Sequence, residues 1–548
     1  MRSAAASQAG SKISQNFHAY EACFLGIAVA LLQFLVEWRY GFNWSDEGWL
    51  WYISQRTSLG QIPIRDFFSY DPGRYYWSAF LFKLLRGNGL FEQLFANAAF
   101  GALGLATMYF AMAKMQVSRA WRIGTLIVLG IMIGFPRHKT YEQALSLICV
   151  GALAFVISKP SALKRWFAFG IAIGLAAFIG RNSGLYFAAA ALLLVFLLKL
   201  VRTQFTAARA LLACVAGTLL GYSPMILMLC FVRGFASPFY QSVLFAPHQQ
   251  LGLAIPLPWH VHVKGLAFPD MLQARAVSFL CIVVPAAYLF AIWKWRTRSD
   301  DPLLRLGCAG AVAGLPYLHH AFARADFFHI AQGIVPFAVV AGVLALSFWR
   351  SGRRELSLAS AAVALALILM AWLPYEPLVQ FLRAKPGSME QVAIDGKNFY
   401  VDSQQAQVMK AVLRAFQNCG AVNGSFLAAP YYPGLYAFLG TKSPLWDLYF
   451  LWPRNHALQQ NEIEALKRNH VSLVLLNRAA AMDGIDALRI DRTYPELVAY
   501  ITSNFDRSDK NLLEGFEIYD SPWCKISPQQ NQAARLTAMN AAAPLSRH

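Results

Sequence analysis

Charge is scarce in this chain. Only 14% of its 548 residues are Asp, Glu, Lys or Arg, where a soluble domain carries about 25%. The sequence also lacks a Gly-rich phosphate cradle, a Walker pattern and a Ser/His/Asp constellation. Chemistry driven by a nucleotide sugar or ATP is therefore not expected. Its eight cysteines show no CxxC or paired spacing, and most fall inside apolar segments. They read as small buried hydrophobes, not as a disulfide frame or a zinc site. A cleavable leader is missing too. The first 18 residues are polar, and the first apolar run (20–38) ends at Glu37 and Trp38 without an A-x-A-like site. That run reads as a retained first helix.

Apolar residues take the place of charge, at 57% of the chain against about 45–50% in soluble domains. They gather in runs such as 182–198, 330–348 and 356–373, long enough to cross a hydrocarbon core of about 30 Å. A window of about 19 residues predicts about 11 transmembrane helices. These lie near 20–38, 91–113, 121–136, 142–158, 166–181, 183–199, 210–232, 272–293, 303–320, 328–348 and 356–374. The net charge of +19 invites a nucleic-acid partner. The Lys and Arg residues lie between apolar runs and not on one basic face, so no nucleic acid is expected.

Those basic residues set the orientation. With the N-terminus cytoplasmic, every second loop should be basic. Lys114, Arg119 and Arg122 fill the first such loop; Lys159, Lys164 and Arg165 the second; Lys199, Arg202 and Arg209 the third. Lys294, Arg296 and Arg298, then Arg350, Arg353 and Arg354, complete the alternation at all five. An odd number of helices puts the C-terminal part outside. The expected location is a bacterial inner membrane. The expected fold is an α-helical polytopic membrane protein with a small C-terminal α/β extracytoplasmic domain. Residues 1–374 form the transmembrane domain with a first outer loop at 39–90, 375–528 the soluble domain, and 529–548 a disordered tail. Within the soluble part, 403–417, 460–469 and 494–504 read as helices and 425–429, 471–476 and 515–519 as strands.

The first outer loop carries the densest chemistry. It runs Trp44-Ser45-Asp46-Glu47-Gly48-Trp49, then Leu59-Gly60-Gln61-Ile62-Pro63-Ile64-Arg65-Asp66, then Tyr70-Asp71-Pro72-Gly73-Arg74. An interfacial belt explains the Trp and Tyr residues. It does not explain Asp46 and Glu47 just past a helix end, nor Asp66 and Asp71 beside Arg65 and Arg74.

This loop resembles that of the GT-C superfamily of membrane glycosyltransferases, in particular the protein O-mannosyltransferase and lipid A aminoarabinose transferase group. There the loop opens with an Asp-Glu or Asp-x pair, continues with leucine-glycine-x-proline-x-x-aspartate, and reaches a proline-glycine segment. The matches are Asp46-Glu47, Leu59-Gly60 with Pro63 and Asp66, and Pro72-Gly73. The Tyr-rich, Pro-rich segment 430–434 adds to the likeness. The resemblance implies transfer of a hexose or pentose from a polyprenyl-phosphate donor to a lipid, glycan or protein acceptor on the non-cytoplasmic face. It implies Asp46, with Glu47 beside it, as the acid that takes or positions the acceptor proton. It also implies a second acid, here Glu142, that assists or binds a divalent cation. Asp66, Asp71 and Arg74 would position substrate. A lipid-linked donor needs no nucleotide fold, which fits the missing motifs.

Such a transfer needs a carboxylate to accept the acceptor proton and cations to meet the phosphate charge that grows as the donor bond breaks. Cations expected at outer helix ends are Arg137, Lys139, Arg181 and Arg324. Snorkelling to lipid headgroups is the plain alternative for each. Arg181 sits in a tight turn between two apolar runs, where an ionisable group marks function. His319, His320, Arg324, Asp326 and His329 fall within one short stretch. They could bind a metal, contact donor phosphate through Arg324 and His329, or close a helix end. His260 and His262 read as an ordinary polar loop.

Competing readings are a flippase or other transporter, a binding module of an envelope-polysaccharide system, and an O-antigen-type polymerase or ligase. A transporter should repeat its halves and place charge near mid-bilayer. No repeat is seen, and the charges gather at the outer rim.

Overall fold

The computed structural model describes residues 2–201, 204–245, 264–323, 327–419, 426–481, 485–509, 515–521 and 524. Contacts divide the chain into two compact units. One holds residues 1–38, 71–81 and 91–383; the other holds 39–70, 82–90 and 384–548.

Among its described residues the first unit is built of helices joined by turns, with no strand. Its helices are α1 (Arg2–Glu37), the larger part of α3 (Gly73–Leu85), α4 (Leu90–Lys114), α5 (Arg119–Gly134), α6 (Thr140–Ser158), α7 (Leu163–Ile179) and α8 (Arg181–Leu200). There follow α9 (Ala207–Gly221), α10 (Ser223–Phe231), α11 (Ala236–Phe245), α12 (Phe268–Thr297), α13 (Pro302–Ala323) and α14 (Phe327–Gly333). Last come α15 (Val335–Arg350), α16 (Arg354–Trp372) and α17 (Pro377–Arg383). Nine of the eleven expected spans each fall on one helix to within two residues, and the other two, 210–232 and 328–348, are divided between α9 and α10 and between α14 and α15. Among the described residues, six are long and apolar enough to cross a membrane, or eight if each bent pair, α9–α10 and α14–α15, is one span. The shorter α5 and α7, with 16 and 17 residues, fall below that length.

Two of these spans keep their apolar surface largely outward: the best windows of Phe17–Glu37 and Arg354–Tyr375 are only 22% and 28% buried. Such faces are stable against lipid and not against water, so the chain is an integral membrane protein. Where helices do meet, small residues let them close. Gly170 and Gly174 on α7 face Gly217 and Gly221 on α9. A Cβ on Gly170 would stand 2.0 Å from the Cys214 carbonyl oxygen, and one on Gly221 would stand 2.2 Å from that of Ile171. These are two small-x-x-x-small patterns in direct backbone contact.

The second unit joins α2 (Asp46–Ser58) to the C-terminal region. A hairpin of β1 (Met389–Ile394) and β2 (Lys397–Asp402) turns at Asp395-Gly396, both with positive φ. That Asp-Gly pair is the turn chemistry a two-residue hairpin demands, and the sequence reading passed over it. Then come α18 (Ser403–Cys419), β3 (Phe426–Ala429), α19 (Pro433–Leu439), α20 (His456–Arg468) and β4 (Leu473–Asn477). The order ends with α21 (Ile490–Thr493), α22 (Pro495–Asn504), β5 (Asp506–Asp509) and β6 (Phe516–Asp520). A four-stranded sheet runs β3-β4-β6-β5, parallel at β3–β4 and antiparallel elsewhere. Its core gathers Leu427, Phe450, Val474, Leu476, Leu497 and Ile501. The three helices and three strands expected in this region are each found. The expected tail 529–548 lies outside the described residues.

One expectation is corrected. Cys419 and Cys524 meet as a disulfide, their Cα atoms 4.7 Å apart. They are separated by 105 residues, so no local spacing could announce the pair.

Candidate functional site

In the second unit the chemistry centres on the start of α2. Asn43 Oδ1 accepts from the backbone N–H groups of Ser45 (2.8 Å) and Asp46 (3.1 Å). Glu47 Oε2 accepts from Asn43 N–H at 3.1 Å. Orphan donors at a helix start need such acceptors, and this pair fixes the first turn. Asp46 is thereby held in place from below. From the other side the Tyr431 hydroxyl donates to Asp46 Oδ1 at 2.9 Å, and Ser45 Oγ donates to the Tyr431 carbonyl at 2.8 Å. Burial, and then the charge of Asp46, push the Tyr431 phenol well above its ordinary range. It therefore stays a donor.

The approach of α2 to α19 needs two glycines. A Cβ on Gly48 would stand 2.6 Å from the backbone of Gly434. Trp49 packs beside this contact, stacked on Tyr70 at 5.4 Å and edge-on to Tyr431 and Tyr449 at 5.3 and 5.1 Å. Asp66 is engaged locally. Arg65 donates to both its oxygens at 2.7 and 3.0 Å, and Ile62 N–H donates at 2.7 Å. Partial burial raises its pKa, but the Arg65 and Ile62 hydrogen bonds outweigh that and lower it overall.

In the first unit two ion pairs come from residues far apart in sequence. Asp71, 3% exposed, accepts from Arg181 N–H at 2.7 Å and Nε at 3.0 Å. Arg181 Nη2 donates on to Ser242 Oγ at 3.2 Å. Arg74 and Glu142, both buried, meet at 2.9 Å through Nη1 and Oε1. Arg74 Nε also donates to the Ile179 carbonyl at 2.9 Å. The other Glu142 oxygen, Oε2, is buried without a hydrogen-bond partner, as is His320 Nε2. Lys139 and His320 lie within electrostatic reach of Glu142.

A buried polar chain supports these pairs. Tyr141 Oη and Ser78 Oγ are 2.9 Å apart. Gln93 Nε2 donates to Ser78 Oγ (3.1 Å) and Asn97 Oδ1 (2.8 Å), and Asn97 Nδ2 donates to the Arg137 carbonyl at 3.0 Å. Arg137 itself is buried and Lys139 half-buried. His329 is half-buried on α14. His319 Nδ1 lies 2.8 Å from Tyr186 Oη. Arg324, Asp326, His260 and His262 lie outside the described residues.

The first unit thus brings together Asp71 with Arg181, and Arg74 with Glu142 and Lys139. The second holds Asp46, Glu47 and Asp66. Sequence reasoning gave Tyr431 no role. Its only signal was the Pro430-Tyr431-Tyr432-Pro433-Gly434 cluster. Ser78, Gln93 and Asn97 gave no signal, since uncharged polar residues on apolar helices are common. Among the described residues, the one group of three metal-ligating side chains is Cys419, Asp520 and Cys524, and its two thiols are joined to each other.

No family model matches the chain, and no curated protein does. Among solved structures it is similar to the Archaeoglobus fulgidus oligosaccharyltransferase tethered with an acceptor peptide containing the NVT sequon. The identity is 12% and the TM-score 0.47, over 93% of this chain and 74% of that one. It is also similar to ArnT from Cupriavidus metallidurans bound to undecaprenyl phosphate. There the identity is 14% and the TM-score 0.47, over 90% of this chain and 97% of that one.

Proposed function

We propose that this chain is an integral-membrane glycosyltransferase of the GT-C kind. It moves a sugar from a polyprenyl-phosphate donor to an envelope lipid, glycan or protein acceptor on the non-cytoplasmic face. The observation that carries the reading is the meeting of Arg74 with Glu142, both buried, and of buried Asp71 with half-buried Arg181 in the helical unit. Acids and cations chosen from the sequence as candidates for one reaction are paired with each other there, and one Glu142 oxygen has no partner. A buried pair holds a guanidinium at a fixed position, and fixed charges need no rearrangement as the reaction proceeds.

In this reading Arg74, Arg181, Arg137 and Lys139 meet the phosphate charge as the sugar's anomeric bond breaks. Arg324 and His329 are further donor contacts. Glu142 orients the cations and offers Oε2 to substrate or to a divalent cation. Asp46 takes the proton from the acceptor hydroxyl as that oxygen bonds to the anomeric carbon. Glu47 and Asp66 set the loop around it, and Asp71 is a further substrate-positioning residue. The disulfide supports the outward face of the C-terminal region, since such bonds persist in oxidising compartments.

The test supplies a panel of polyprenyl-phosphate sugars to purified protein and follows release of polyprenyl phosphate. Asp46→Asn should lower turnover by about a hundredfold or more, the usual worth of a general base. Release at the wild-type rate by that variant would remove Asp46 from the chemistry. Absence of turnover with every donor, alongside tight glycan binding, would replace the enzyme by a binding module.

A further inference from the structure

Two acids outside the proposed chemistry lie buried together in the helical unit. Glu37 ends α1, and Glu376 follows the turn Leu373–Tyr375 after α16. They are 8% and 4% exposed. Neither oxygen of Glu376, nor Oε2 of Glu37, meets a donor, and the two carboxyl groups interact directly. The charged groups that reach Glu376 are Glu37 and Arg137. Arg137 Nη1 makes a long contact, 3.5 Å, to the Glu37 carbonyl oxygen.

Glu37 and Arg137 also line a small crevice of about 50 Å³, with Gln33, Asn97 and Thr140 among its polar walls and Phe34 and Ile133 among the apolar ones. Two neighbouring carboxylates that lack donors cannot both stay ionised, so one proton belongs to the pair. Burial, followed by the charge of Glu37, pushes Glu376 up to about 10. With that proton in place, one carboxylate balances Arg137. Without it the cluster is net negative, in a setting where charge is poorly screened.

We propose that the Glu37–Glu376 pair, by holding one proton, positions Arg137 to receive a phosphate carried on an apolar chain in this crevice, and that losing the proton closes the site. The inference rests on the reading of a polyprenyl-phosphate donor and adds the acid pair. The same phosphate chemistry has two sources, a prenyl carrier and a phospholipid headgroup.

The test measures binding of farnesyl phosphate and of phosphatidic acid to the full chain in detergent micelles, from about pH 7 to about pH 11. Tryptophan fluorescence checks the fold at each point. Wild-type affinity should fall about tenfold, or about 1.4 kcal/mol, as pH passes the Glu376 titration. Glu376→Gln should keep the neutral-pH affinity and lose the fall. Arg137→Ala should bind weakly throughout. The infrared carbonyl band of a protonated carboxylic acid should be present in the wild type and diminished in Glu376→Gln. Tighter farnesyl phosphate assigns the crevice to the carrier, and tighter phosphatidic acid to a headgroup; either upholds the acid pair. An unchanged fall in Glu376→Gln, no fall in the wild type, or wild-type binding by Arg137→Ala overturns it. Those results would leave the proposed enzyme standing if lipid-linked donors are still turned over. Absence of turnover with every donor bears on the enzyme alone.

Discussion

Asp46 and Glu47 are neighbours in the chain with different surroundings. Glu47 reaches back to the Asn43 N–H and closes the first turn of α2, while Asp46 receives the Tyr431 hydroxyl. Sequence alone treats the two acids alike, because a helix start and an acid pair look the same in one dimension. Tyr431, which marks Asp46 out from its neighbour, comes from 385 positions away. A second acid shows burial at work. Glu462 is pushed up to about 8, first by burial and then by the charge of Asp447, which is fully enclosed and bonded to Arg454 and Tyr494. An acid whose folded pKa is raised contributes stability that is full below its unfolded value and fades as pH climbs through the folded one. The thermal stability of the C-terminal region should therefore fall between about pH 4.5 and about pH 8 through Glu462. Glu462→Gln should flatten that slope while keeping an acceptor for the Asp447 N–H. An identical slope in the variant would place the titration elsewhere.

At the level of elements, most of the long helices were legible because they carry apolar runs, although two of those runs are each split between two helices. The strands of the C-terminal region were legible for a related reason: β4 is fully buried and reads Leu-Val-Leu-Leu. What stayed hidden was which elements touch. The α7–α9 contact depends on four glycines whose spacing is ordinary until two helices are laid together. Gly174→Ala puts a methyl 2.3 Å from the Thr218 carbonyl oxygen, and overpacking of this kind costs about 1–3 kcal/mol. Gly124→Ala on α5 meets nothing within 4 Å and should be neutral or slightly stabilising, since Gly costs a helix about 0.5–1 kcal/mol relative to Ala. Side-by-side melting of the two variants in one detergent checks this. Equal melting temperatures would mean α7 and α9 are not in backbone contact.

For the molecule as a whole, the missed pairings share one cause. Cys419 with Cys524, Asp46 with Tyr431, and Glu37 with Glu376 each join distant stretches, and local periodicity holds no record of them. The cysteine pair is simple to count. Of eight cysteines, six are free. Maleimide should add to six in the denatured, unreduced protein and to eight after reduction. Reduction should also lower the melting temperature of the C-terminal region, because a crosslink closing about 100 residues is worth up to about 4.7 kcal/mol in unfolded-chain entropy. Eight additions before reduction would show that the thiols stay unjoined.

The second unit is built from pieces that are not contiguous, with residues 39–70 completed by 384–548. That division sets an order of manufacture. The aromatic first loop leaves the ribosome early, while Tyr431, Gly434 and Trp446, the partners that cover it, are translated only after the last spanning helix. Until then Trp49 has no Tyr431 or Tyr449 to pack against, so a chain cut before residue 430 leaves the aromatic loop uncovered.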